Sequence, residues 1–486
     1  MPAPVSDSDR RSAYEMALGD IGTQLEREPE NSGLLFERAR LLTLLGRDDD
    51  ATQAYLHLLR RAPTHFGALT NLASLSLATG HRSAALTAYR QAVGCHPENP
   101  TGLVNLANLL AEDDDTAQAL ALYRRALDAD PDHPQAHRGL GQILFSQGDR
   151  EAAECHWRKG FVGHSIVTRP YRGAGAAIRL LVLASPRDGN VPTTLMLDDR
   201  VFAITTLFPD YHDPAAPLPP HDLLFNAIGD ADLCIEALKA AVSLTAHSRA
   251  PVVNTPQAVL RTGRQNNAQR FSRTPGVIAP KIATYAKAQL LADGAADALI
   301  AAGFTFPLLL RPPGFQTGLH FVRVEAAEAL PACAGQMPDG DVFAIEYLDT
   351  AGHDGIIRKY RVMMIDDVLY PLHMAGSHDW NIHYFSSEME NREDLRREEE
   401  MFLNDMPASL GKTAMAALAA ICKELALDYA GIDFGLSRHG KLVFFEANAT
   451  MIIYPPPEDA IWDYRRAALD RALEAAKQLL VARAAR

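Results

Sequence analysis

A 34-residue period governs the first third of the chain. Pro29, Pro63, Pro97 and Pro131 are spaced by it, and so are Ala17, Ala51, Ala85, Ala119 and Ala153. Tyr55, Tyr89, Tyr123 and Trp157 form a third ladder; Ala39, Ala73, Ala107 and Gly141 form a fourth, flanked by Leu72, Leu106 and Leu140. A period of this length means a stack of small units that cannot bury their apolar faces alone. Proline cannot continue a helix, so each proline marks the end of a second helix. Stacking such units gives a curved superhelix with a concave surface.

These ladders resemble the tetratricopeptide repeat, in which small residues let two helices cross closely and an aromatic fills the gap. The resemblance covers about 12–163, four repeats with a leading helix. Asp114 stands where Gly46, Gly80 and Gly148 stand in the other repeats, and an extra helical turn is expected to accommodate it. The concave surface is expected to bind a peptide or protein. The alternative is a scaffold or dimerisation surface, which leaves a homodimer open. No basic cluster recurs at the repeat spacing, so a clamp for a terminal carboxylate is not expected.

At 486 residues the chain has room for about three domains, large enough to need no metal or disulfide staples. Lys and Arg number 47 against 60 Asp and Glu, a formal charge of −13. That balance argues against nucleic acid or an anionic membrane as partner. Cys95, Cys155, Cys234, Cys333 and Cys422 are scattered, with no local zinc or redox spacing. An odd, dispersed set suits a reducing compartment, and the cytoplasm is expected. The first residues lack the apolar core of a secretory signal. No run of about 18 uncharged apolar residues is present to span a membrane.

Past residue 163 the period ends. Residues 164–178 are expected to be a linker. RLLVLAS (179–185), DLLFNAIG (222–229) and APVVNT (250–255) read as short buried strands. The helical pattern of 231–246 lies between the last two, so 179–275 is expected to be a small α/β domain. SPRDGN after the first strand is not a G-x-G-x-x-G loop, which argues against a dinucleotide site.

From 276 to 486 the pattern is α+β. FPLLLRP (306–312) runs into the glycine-bearing loop PPGFQTGLH, and DVFAIEYLD (341–349) reads as a strand. IIRKYRVMMI (356–365) and VLYPLHMAG (368–376) flank Asp366–Asp367, a hairpin turn. YAGIDFGLS (429–437) and KLVFFEANAT (441–450) are joined by the turn RHG. Asp433 lies near the middle of the first of these two strands; Glu446 and Asn448, two apart, share a face of the second. The hairpin brings them together. Two carboxylates and an amide oxygen form a hard oxygen cluster, which suits Mg²⁺. The plain alternative is a strand pair with acidic residues at its ends.

The span 180–480 resembles the ATP-grasp ligases, in the branch of glutathione synthetases, ribosomal-protein glutamate ligases and D-alanine–D-alanine ligases. The resemblance lies in the order of the parts: an α/β domain, N-T-P (254–256), a phosphate-loop strand, a hinge, an arginine-bearing strand, then D…E-x-N. It implies a multidomain chain: an all-α repeat superhelix at 1–163, an α/β pre-grasp domain and an α+β ATP-grasp domain. It implies ATP and Mg²⁺ as cofactors, with Asp433, Glu446 and Asn448 as metal ligands. Glu346, Tyr347 and Leu348 would line the adenine slot and Asp349 would reach the ribose. Gly314 and Gly318 would belong to the flap over the phosphates. Arg361 resembles the arginine on the transferred phosphoryl group, with Arg358 and Lys359 next to it. Where the family places two lysines, this chain has Arg264 or Asn267, and Arg311. Arginine pairs with phosphate but is not interchangeable with lysine.

HMAGSHDWNIHYF (373–385) gathers His373, His378, Trp380, His383 and Tyr384 where the resemblance puts the acceptor pocket. His378 is expected to support acid–base chemistry or recognition; a packed aromatic cluster is the alternative. EMENREDLRREEE (388–400) alternates its charges and reads as a solvated helix. The activity implied is amide-forming: ATP activates a carboxylate as an acyl phosphate, and an amine attacks it. A grasp fold without turnover, acting as a scaffold, and a phosphotransferase are the other readings. The carboxylate and the amine stay open, and the repeats suggest that one of them belongs to a peptide or protein.

Overall fold

The ladders fold into nine helices among the described residues: α1 (Asp7–Arg27), α2 (Ser32–Leu44), α3 (Asp48–Arg61), α4 (Phe66–Ala78), α5 (Arg82–Cys95), α6 (Pro100–Glu112), α7 (Thr116–Ala129), α8 (Pro134–Ser146) and α9 (Arg150–Phe161). The structure is a computed structural model that describes residues 7–314, 319–382 and 387–485. Each ladder proline lies in the turn before α2, α4, α6 or α8. Those four helices share a further ladder, their N-caps. Asn31, His65, Asn99 and His133 each accept a backbone N–H from the first turn of the helix that follows. The cap satisfies a donor that the helix geometry leaves unpaired.

From Ala39 onward the ladder alanines are fully buried, and Tyr55, Tyr89, Tyr123 and Trp157 are at most 5% exposed. The last repeat swaps both partners at once. A Cβ on Gly141 would lie 2.6 Å from Cδ1 of Trp157, so the larger indole fits only because alanine has become glycine. Asp114 needs no extra turn. It takes up φ 60 in the same left-handed position as Gly46, Gly80 and Gly148, and α6 keeps the 13 residues of α2, α4 and α8. Aspartate tolerates that conformation better than most residues.

The chain divides into two compact units, Met1–Val182 with Leu197–Asp222, and Leu183–Met196 with Leu223–Arg486. In the first, residues 164–178 are not a bare tether. They contribute β1 (Ile166–Thr168). The order continues with β2 (Ile178–Leu183) and β3 (Phe202–Leu207), and β1 pairs antiparallel with β3. β1 is exposed along its whole length, so no hydrophobic pattern announces it. Arg172 anchors the segment through Asp48 and Asp199. Phe161 at the end of α9 stacks on Phe208 and Tyr211, with ring centroids at 4.3 and 5.2 Å. Residues 197–222 thus close the open end of the stack, which its last repeat cannot do alone.

The second unit is mixed α/β. β4 (Leu223–Asn226) and β5 (Val252–Val253) are parallel, with the helix Ile235–Thr245 between them in sequence. Then come β6 (Val277–Ile278), β7 (Ile282–Ala286), β8 (Leu308–Arg311), β9 (Val322–Val324), β10 (Asp341–Glu346), β11 (Ile357–Ile365), β12 (Val368–Ser377), β13 (Tyr429–Leu436) and β14 (Leu442–Asn448). They form one antiparallel sheet of order β7-β10-β8-β9 and another, antiparallel except at its β14–β6 edge, of order β12-β11-β13-β14-β6. Asp366 and Asp367 both take positive φ, as a two-residue hairpin turn requires. The helix Glu393–Asn404 is not wholly solvated: Glu399 is buried and ion-paired with Arg465 at 2.7 Å. No described helix is long and apolar enough to cross a membrane.

The repeat packing predicts two opposite outcomes for the same substitution. Gly19 lies mid-helix in α1, and a Cβ added there would meet nothing within 4 Å, so Gly19→Ala should stabilise by about 0.5–1 kcal/mol. Gly141→Ala should destabilise, because overpacking against a fully buried indole costs about 1–3 kcal/mol and outweighs the helix gain. Chemical denaturation followed by far-UV circular dichroism measures both signs.

Candidate functional site

Asn254, the first residue of N-T-P, sets the position of β13. Its backbone N–H donates to Asp428, its Oδ1 accepts from the backbone N–H groups of Asp428 and Tyr429, and its Nδ2 donates to the Tyr429 carbonyl. It is fully buried and holds φ 54 to do this. β13 then carries Asp433 between two partners. Arg361 of β11 lies opposite it on one side and Glu446 of β14 on the other.

The Arg361 guanidinium grips Asp433 through both carboxylate oxygens, Nε to Oδ1 at 2.6 Å and Nη2 to Oδ2 at 2.8 Å. Lys359, two residues earlier on the same face of β11, reaches Oδ2 at 2.7 Å. Asp433 is 1% exposed. Burial by itself would raise its pKa; the charges of Arg361 and Lys359 outweigh burial and hold it well below the usual carboxylate range.

Glu446 accepts from Arg264 at 2.6 Å and from Asn448 Nδ2 at 2.8 Å. Burial pushes against its ionisation, but Arg264 and Arg311 prevail and bring its pKa down to about 2. Asn448 is oriented in turn by Thr450, whose N–H and hydroxyl donate to its Oδ1. Arg264 opens the helix Arg264–Phe271, and its backbone N–H donates to Asp232. Asn267 in that helix is a structural pin: it donates to the carbonyls of Thr262 and Ala447. Arg311 ends β8. Burial and then the neighbouring Arg264 push its pKa down to about 10, against the opposing pull of Glu446, Asp230 and Asp433.

Residues of both sheets line one cleft of about 140 Å³. Its lining combines apolar Ile282, Leu309, Phe321 and Ile345 with charged Arg311, Lys359, Asp433 and Glu446, and Arg311 lies over the Phe321 ring at 5.5 Å. Glu346, Tyr347 and Leu348 also line it. β10 is an interior strand, paired on both sides, and Glu346 at its end exchanges hydrogen bonds with the Lys281 backbone. Arg323 stacks on the Tyr347 ring at 4.3 Å. Gly314, at φ 78, lies with Arg264, Arg311 and Glu446 around a smaller adjoining hollow, where a Cβ would meet Leu233 at 2.8 Å.

Not every expected residue reaches this cleft. Arg358 points to the other face of β11 and is held by Asp354 and Glu398. His378 pairs with Glu388 at 2.9 Å, its side chain 59% exposed. Asp349 does not line the cleft and accepts from the Ala351 N–H in a turn. Gly318, His383 and Tyr384 lie outside the described residues. Asp230 and Asp232, which no motif marks, join Arg264 around the smaller hollow. Among the described residues no group of three or more His, Cys, Asp and Glu is arranged to hold a metal ion.

Residues 70–134 and 104–157 match the family model of the tetratricopeptide repeat. The N-terminal region is a tetratricopeptide repeat array. Among solved structures, MamA (residue 41 to the end) from Desulfovibrio magneticus RS-1 is similar at 22% identity, over 31% of this chain and 86% of that one, with a TM-score of 0.28. A thermophilic TPR protein from Thermus thermophilus is similar at 21% identity, over 30% and 81%, with a TM-score of 0.27. YrrB, a TPR protein with an unusual peptide-binding site, is similar at 17% identity, over 31% and 77%, with a TM-score of 0.27. No curated protein matches the sequence. Within the array, tyrosines of the third ladder also bond across each helix pair, Tyr55 accepting from Asn71 and Tyr123 donating to Asn108.

The charge pairing around Glu446 predicts an acid response. Its folded pKa of about 2 lies below the ordinary 4.5, so its stabilisation is complete above 4.5 and is lost as pH falls toward 2. Denaturant midpoints at stepped pH should fall less steeply over that window for Glu446→Gln than for the parent protein. Equal slopes would show that the Arg264–Glu446 pair does not hold the carboxylate as described.

Proposed function

We propose that the second unit is an ATP-dependent carboxylate–amine ligase of ATP-grasp type. The observation that carries this reading is the cleft shared by two sheets, whose lining joins apolar Ile282, Leu309, Phe321 and Ile345 to charged Arg311, Lys359, Asp433 and Glu446. An adenine needs a flat apolar slot; a triphosphate needs convergent cations. In this reading adenine lies against Ile345–Leu348 and the phosphates lie toward Arg311 and Arg264. Asp433 and Glu446 keep lone pairs that fit Mg²⁺, since Asp433 Oδ1 accepts one bond and the bonds to Glu446 fall on Oε1; Asn448 would join them only by giving up the two bonds that its Oδ1 accepts from Thr450. The metal would neutralise phosphate charge when bound with ATP.

The γ-phosphoryl passes to a carboxylate oxygen, giving an acyl phosphate and ADP. An amine then attacks the acyl carbon, phosphate leaves with the bonding pair, and the amine loses a proton. In this reading Arg361 and Lys359 would stabilise the charge that builds on the transferred group. Their role is electrostatic, offered by groups already fixed on a strand. The repeat array supplies a surface for a peptide or protein bearing one reactant, so remote contacts contribute to the reaction.

A non-catalytic binding protein is the second reading. Its support is that Asp433 and Glu446 are already neutralised by Arg361, Lys359 and Arg264, so the charge cluster is satisfied by the chain itself.

ATP with Mg²⁺ should raise the melting temperature, because a ligand bound only by the folded state stabilises it. Arg311→Ala should weaken that shift by losing phosphate contacts of about 1.5–3 kcal/mol. Asp433→Asn and Glu446→Gln should abolish ADP release on any substrate pair that the parent protein turns over. A folded sample that shows no shift at millimolar ATP overturns the ligase reading. A shift with no ADP release under any acceptor tried favours the second.

A further inference from the structure

The second unit holds a larger cavity, of about 730 Å³, which also borders Glu446 and Asn448. It shares Lys359 with the cleft and adds Arg361. Its apolar lining comes largely from one stretch, MIIYPPP (451–457), directly after E-A-N-A-T.

That lining is built into the fold. Met451 is 5% exposed and sits where a Cβ on Gly431 would be, 2.3 Å from its Sδ. The Tyr429 hydroxyl donates to the Met451 carbonyl at 2.9 Å. Pro455, Pro456 and Pro457 fix φ at three consecutive positions, so the stretch has few alternative shapes. Tyr454 nevertheless stays 58% exposed, an unusual position for an aromatic side chain in a rigid, apolar run. Leu372 and Leu469 extend the same surface.

The charges bordering the cavity are unequal. Lys359 and Arg361 bring two positive charges against the single negative charge of Asp433. Arg465, also on the cavity, is matched by Glu399. Glu446 is matched by Arg264. The surplus cation lies on β11 and shares the cavity with this apolar lining.

We propose that this cavity binds a monocarboxylate with a bulky apolar body, its carboxylate toward Lys359 and Arg361 and its body against residues 451–457. This rests on the ligase reading for its consequence, that the bound acid is the acyl donor; the binding itself does not depend on ATP chemistry. A diacid or a free amino acid would bring a second charge against the apolar side chains of Met451 and Ile452, which costs free energy. The apolar acid has two sources, a free small molecule or the C-terminus of a peptide ending in an apolar residue.

Isothermal titration of the full chain without nucleotide tests this with five probes: 3-phenylpropionate, N-acetylphenylalanine, 3-phenylpropionamide, acetate and glutarate. At least one of the first two should bind about tenfold or more tighter than each of the last three. N-acetylphenylalanine binding the tighter of the two assigns a peptide C-terminus; the reverse assigns a free acid. Ile452→Asp should remove the preference for the apolar body, and Lys359→Met the preference for acid over amide. Tyr454→Ala, at an exposed side chain, repeats the first comparison should Ile452→Asp fail to fold. Acetate or glutarate binding as tightly as the aryl acids overturns the proposal, as does a preference that survives both wall variants. Selective acid binding in a protein that ignores ATP would leave this cavity standing and remove the ligase; ATP binding without acid selectivity would do the opposite.

Discussion

A buried aspartate can stay ionised only if the fold brings it cations. Asp433 is held by a two-pronged contact from Arg361 and a third bond from Lys359, and all three sit on neighbouring strands. Breaking a buried pair of this kind by removing one partner typically costs about 3–5 kcal/mol, because the remaining charge is left uncompensated. The register of β11, β13 and β14 is thereby specified by charge as well as by the hydrophobic pattern. The same register sets Glu446 beside Asp433 and presents Asn448 two residues on. The cleft and the larger cavity meet at this cluster, so both sites inherit their geometry from it.

The repeat array solves a different problem by shape. Small residues recur where helices cross, an aromatic recurs where they part, and the caps recur where each first helix begins. The exchange of Ala and Tyr for Gly141 and Trp157 keeps the local volume while changing both partners. The stack ends on Phe161, and Phe208 and Tyr211 cover it from a segment that follows far later in the chain.

What the sequence made legible follows from how local each cause is. The ladders, the hairpin at Asp366–Asp367 and the pairing of Asp433 with Glu446 depend on short-range spacing and were readable. Lys359 was readable in principle: two positions from Arg361 it must share its face, and Arg358 must not. β1 was not readable, since it is short and exposed on both faces. Asp114 could have been read as a left-handed residue, because the turn around it matches its glycine counterparts. The contact of Arg264 with Glu446 and the closing of the repeats by residues 197–222 join segments distant in sequence. No periodicity encodes such contacts. Glu399 hid in an alternating charge run because its partner, Arg465, belongs to another element.

The proposed ligase requires the cleft between the two sheets to be a nucleotide site. Photolabelling with 8-azido-ATP and Mg²⁺, followed by peptide mapping, measures this directly. The label should fall on peptides containing residues 280–286 or 341–348 and be displaced by ATP. Displaceable label confined to the repeat array, or to peptides that contribute nothing to the cleft, would contradict it.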